Sequence, residues 1–140
     1  MAVEIGIPER NREAVVRILN DILSDEYVLY TKTRNYHWNV VGPQFNDLHK
    51  FFEARYEELN EIVDDVAERA RALGGRSRAT IVEFAKFARL KEHPGDYPTA
   101  KEMVANLLED HEALVRTLRA DSEACAEKYE DMGTNDFLTG

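Results

Sequence analysis

Apolar side chains recur every three or four positions along most of the chain, the period of an α-helix with one buried face. Val15, Ile18, Leu19, Ile22, Leu29 and Tyr30 predict a first helix over about Pro8 to Tyr36, continuing through His37 and Trp38 to a turn at Val41-Gly42-Pro43. Pro43 suits the first turn of a second helix, where its missing N–H would have no partner in any case. Phe45, Leu48, Phe52, Tyr56, Leu59, Ile62, Val63, Val66, Ala70 and Leu73 extend that helix until Gly74-Gly75 stops it. A short apolar segment, Ile81 to Phe87, follows with Thr80 as its cap. After the polar break KEHPGDYP, Thr99 and Glu102 form a capping box for a third long helix. Its stripe is Met103, Leu107, Leu108, His111, Leu114, Val115 and Leu118. Thr134 reads as the cap of one more helix, with less than two turns before Gly140. The expectation is one all-α domain over 1–140, a helical bundle with a short helix between the second and third long ones.

Composition narrows the function classes. The 140 residues are 44% hydrophobic and 32% charged, a globular balance, and carry a formal charge of −9. That sign opposes binding to DNA or anionic membrane and favours cations. No apolar run approaches membrane-spanning length, and the start, MAVEIGIPER, lacks a basic segment followed by an apolar one. Cys125 is the only cysteine, so an internal disulfide and a cysteine-based zinc cage are both excluded. These features fit a soluble cytoplasmic protein.

Four side chains on the second helix change the picture. His49 with Glu53, and Asp64 with Glu68, are two i,i+4 pairs, each on one helical face. A lone carboxylate on a charged helix is usually a solvated face, but Asp64 and Glu68 repel at this spacing unless a cation lies between them. The pairs are 15 residues apart. That is about 22 Å along the axis, far too long for one metal site, yet only about 60° around it, so both share a broad face. If the four act together, one copy's His49 and Glu53 must meet another copy's Asp64 and Glu68. Two antiparallel helices about a two-fold axis near Glu58 and Leu59 would do this and make two equal sites. His37, flanked by Tyr36 and Trp38 at the end of the preceding helix, either complements the helix dipole or adds a nitrogen ligand. Two imidazoles and three carboxylates suit divalent iron, although zinc or manganese could occupy the same donors.

The run NYHWNVVGPQFNDLHKFFE, followed by DDVAERARALGG, resembles the Dps family, the mini-ferritins, and the likeness extends over essentially the whole chain. The histidine before tryptophan, the second histidine twelve residues later and the carboxylates at +4, +15 and +19 from it reproduce the family's ferroxidase pattern. The resemblance implies a ferritin-like four-helix bundle whose fourth helix is cut short here. It implies His37, His49 and Glu53 as ligands from one subunit and Asp64 and Glu68 from its two-fold partner, with Trp38 beside the site to quench stray oxidising equivalents. It further implies a homo-oligomer, a dodecameric shell that oxidises Fe(II) with hydrogen peroxide, stores ferric mineral and limits oxidative damage. Acidic residues at the start of the last helix line the family's pores, which points to Asp131 and Asp136. The chain departs from DNA-binding members in its tail, MAVEIGIPERNRE, which has no lysine and more glutamates than arginines. A nucleoid-compacting protein with a secondary metal site is therefore the alternative rather than the main expectation, and a structural zinc or manganese protein is a third.

Overall fold

The computed structural model describes residues 3–140; Met1 and Ala2, the first two residues of the lysine-free tail, lie outside it. Helix α1 spans Glu9–Asn39, α2 Phe45–Ala72, α3 Ile81–Phe87, α4 Ala100–Glu123 and α5 Met132–Thr139, with a π-helical turn at Ala124–Lys128. There is no strand among the described residues. The first helix runs on through His37 and Trp38 as expected and carries His37 within its last turn.

The helix boundaries follow local chemistry with two corrections. Pro43 lies outside α2: Gly42, at φ +119°, closes a turn in which the Phe45 amide donates to the Gly42 carbonyl, and the helix begins after it. Only glycine adopts that backbone angle without strain. Thr134 does not cap α5. Asp131 does, accepting from the Thr134 amide at 2.9 Å, because a carboxylate three residues before a free N–H reaches it directly. The other expected caps are present: Thr80 accepts from the Glu83 amide, and Thr99 and Glu102 bond each other's backbone reciprocally. At the end of α2, Gly74 and Gly75 donate to the carbonyls of Arg71 and Ala70, closing a left-handed stop.

Helices α1 and α2 pack antiparallel, and their apolar faces build two core clusters. One gathers Val15, Leu19, Ile22, Val66, Leu73, Phe84 and Cys125; the other gathers Leu29, Tyr36, Phe52, Leu59, Met103, Leu107 and Leu114. Buried polar groups brace the layers. Asp25 accepts from the Arg89 side chain at 2.7 Å and from the Leu90 amide, fixing the segment after α3. Lys32, nearly buried, pairs with Asp110 of α4 and donates to the Lys91 carbonyl. These braces tie α1 to the segment after α3 and to α4.

Candidate metal centre

The tight turn between α1 and α2 places His37 and His49 against one another, twelve residues apart in sequence. Their rings stack with centroids 3.8 Å apart and planes inclined by 14°. Each Nδ1 lies against the other residue's backbone carbonyl, at 2.6 Å for His37 and 2.7 Å for His49. A carbonyl only accepts, so each Nδ1 carries the hydrogen. That leaves Nε2 as the nitrogen each imidazole has available for a metal. His37 is buried and His49 half-buried.

Glu53 follows one turn along α2 and is half-buried, whereas Asp64 and Glu68 are exposed farther down the same helix. The hydrogen bond to Asp64, then its charge, hold the Glu68 carboxyl above its ordinary range, as expected of two carboxylates one helical turn apart. Among the described residues, no group of three or more His, Cys, Asp or Glu within one chain is close enough to hold a metal. One copy thus brings His37 and His49 together, keeps Glu53 alongside on α2, and does not bring Asp64 and Glu68 to them.

Aromatic rings beyond those flanking His37 in sequence surround this pair. Phe45 stacks on His49 at 5.0 Å, and Tyr56 meets His37 at 5.3 Å with planes at 67°. Tyr56 in turn stands edge-on to Tyr30, and Arg34 lies over both Tyr30 and Trp38. The available signal was positional: Phe45 is four residues before His49 and Tyr56 seven after it, spacings that share a helical face.

The ferritin-like domain family matches residues 16–140. The DNA protection during starvation protein 2 of Bacillus anthracis is 38% identical over 127 residues, which is 90% of this chain and 85% of that protein. The chain belongs to the Dps proteins of the ferritin-like family. A low temperature-induced protein of a Nostoc species is 48% identical over 138 residues, covering 99% of this chain and 77% of the relative. The crystal structure of the Dps protein of Vibrio cholerae, described as a member of a broad superfamily of ferritin-like diiron-carboxylate proteins, superposes with a TM-score of 0.91. It is 30% identical and covers 99% of this chain and 87% of its own.

The remaining expected site residues of this Dps chain fall as follows. Trp38 is exposed beside His37, with its ring against Arg34. Asp136 is exposed on α5. Asp131 is 2% exposed, and both its oxygens bond Thr134 while Arg69 approaches at 3.5 Å. Its carboxylate caps α5 within its own chain. His111, expected on the buried face of its helix, is exposed on α4, and Cys125 is buried with its thiol pushed up to about 11 by burial. A thiol held protonated in this way is a poor ligand and a poor nucleophile.

Proposed function

We propose that this chain is a ferroxidase mini-ferritin: Fe(II) is oxidised between two-fold-related subunits, and ferric mineral is deposited inside a shell built from copies of the chain. The observation that carries this reading is the reciprocal Nδ1–carbonyl clamp of His37 and His49, which leaves Nε2 of each ring available for a metal. Hard carboxylates beside neutral imidazoles, with no thiolate, suit Fe(II) as the substrate cation.

The five donors cannot converge within one chain, because α2 is one continuous helix through the interval from His49 to Asp64, about 22 Å of rise. A two-fold partner running antiparallel along α2 resolves this. His37, His49 and Glu53 of one copy would then face Asp64 and Glu68 of the other, twice per dimer. Glu53 and Glu68 hold iron, and Asp64 holds it directly or through a hydrogen bond. The cation would also relieve the Asp64–Glu68 repulsion. Hydrogen peroxide is the proposed oxidant: each Fe(II) gives up one electron, peroxide takes two, its O–O bond breaks, and both oxygens leave as water or hydroxide. Taking both electrons at one site avoids release of hydroxyl radical. Trp38, exposed beside His37, intercepts oxidising equivalents that escape. Asp136 is the acidic residue that carries the pore role, since Asp131 is engaged within its own chain. No helix among the described residues is long and apolar enough to cross a membrane, and the proposed place of action is the cytoplasm. The −9 charge draws cations and opposes the DNA-compacting alternative.

The test is anaerobic Fe(II) loading followed by substoichiometric hydrogen peroxide, with ferric absorbance followed in time. The expected result is rapid oxidation of about two iron ions per peroxide, lost when His37 and His49 are both replaced by Ala. Oxidation no faster than in protein-free solution would overturn the proposal.

A further inference from the structure

Five rings stand in a row at the start of α2, in the order Phe45, His49, His37, Tyr56 and Tyr30. Successive centroids are 5.0, 3.8, 5.3 and 5.8 Å apart. His49 is stacked by both His37 and Phe45, while His37 is stacked by His49 and meets Tyr56 at 67°. The Nδ1–carbonyl bonds restrain one nitrogen of each imidazole, but a single hydrogen bond is a soft restraint and the ring can still rock about its bond to the side chain. Packed rings beside each imidazole limit that rocking, and with it the range over which Nε2 points.

We propose that Phe45 and Tyr56 are positioning residues that bracket the imidazole pair and hold both Nε2 atoms in the geometry that receives the metal. The proposal rests on the reading of His37 and His49 as ligands. Neither bracketing residue is itself placed as a ligand; both act through the imidazoles.

Each bracket is itself held. Phe45 is the first residue of α2, and its position is set by the Gly42 turn, through the Phe45 amide and the Gly42 carbonyl at 3.1 Å. Its ring is 43% exposed, so it is not there to fill the core; its face lies on His49 at an inclination of 22°. Tyr56 is backed edge-on at 84° by Tyr30, whose hydroxyl accepts from Arg34 at 3.2 Å. Stacked and edge-to-face rings attract through their quadrupoles, so the row is a set of favourable contacts rather than mere proximity. A preorganised ligand spends less of its binding free energy on ordering, and loss of an orienting partner typically costs about 10–100-fold in metal affinity.

Cobalt(II) is the probe, because its visible absorption reports coordination without turnover. Titration of the assembled wild-type protein is compared with Phe45→Ala, Phe45→Tyr and Tyr56→Ala. The expected result is about tenfold weaker cobalt binding for each Ala variant and recovery to within about twofold for Phe45→Tyr, with unchanged assembly size. A purely structural contribution from Phe45 would move the melting temperature and leave the cobalt affinity in place. Should Phe45→Ala fail to assemble, Phe45→Leu, which keeps apolar bulk without a flat face, takes its place with the same expected loss. Ala variants that bind cobalt within twofold of wild type overturn the positioning role while leaving the ligand reading intact. Absence of cobalt binding by the wild type is a different outcome and removes the ligand reading itself.

Discussion

Arg69 and Thr134, 65 residues apart, are joined by two hydrogen bonds: Nε and Nη2 of the guanidinium both donate to the threonine hydroxyl oxygen, at 3.1 and 3.0 Å. The hydroxyl donates in turn to Asp131, so α2 and the start of α5 are tied through one buried oxygen. Thr134→Val keeps the shape and strands the guanidinium beside a methyl group. The expected cost is about 1–3 kcal/mol in urea unfolding, with faster amide exchange confined to α5.

The proposed composite site makes a prediction that a single-chain site would not. A variant lacking His37 and His49 and a variant lacking Asp64 and Glu68 are each expected to be inactive. Mixed after dissociation and reassembly, they should regain activity, because each mixed dimer combines one intact histidine pair with one intact carboxylate pair. Random pairing gives about a quarter of the wild-type sites. Peroxide-driven iron oxidation in the mixture checks it, and a mixture as inactive as its parents would falsify the two-fold arrangement.

Glu26 is 4% exposed, its Oε2 has no hydrogen-bond partner, and burial together with the neighbouring Asp25 charge raises its carboxyl from 4.5 to about 8. Below the unfolded value both states hold the proton and the folded chain is at full strength. Between 4.5 and about 8 the unfolded chain ionises while the folded one does not. Stability therefore falls as pH rises through that window, by at most about 1.4 kcal/mol per pH unit from this group. Glu26→Gln is expected to flatten the profile, as measured by denaturation midpoints across the same range.

Glu130 holds φ at +54° where the π turn ends and Asp131 turns into α5. A side chain in that region costs about 1 kcal/mol that glycine does not incur. Glu130→Gly is expected to raise unfolding stability by up to that amount, seen as a higher thermal midpoint.

A Cβ built on Gly75 would meet the Val16 side chain at 2.4 Å. Gly75→Ala must push α1 away from the end of α2, and a loss of about 1–3 kcal/mol in thermal unfolding is expected.

The sequence by itself determined the helices and the Thr80 and Thr99 caps, because each depends on residues within about one or two turns of one another, and it fixed the spacing of the candidate ligands, because one regular helix carries four of them. Periodicity placed Leu19, Ile22, Leu59 and Val66 in the core, and the interval from His49 to Asp64 alone ruled out a site within one chain. Other features depended on where the chain returns in space. Pro43 was displaced from α2 by the Gly42 turn, and Asp131 took the cap expected of Thr134 once Arg69 reached across from α2. The His37–His49 clamp needs the last turn of α1 and the first of α2 at one fixed angle, so no local pattern announces which imidazole nitrogen is spent on a carbonyl. Hydrophobic period and capping are short-range and survive in a list of residues. The orientation of a ligand ring is set by packing between elements, and only the tertiary structure decided it.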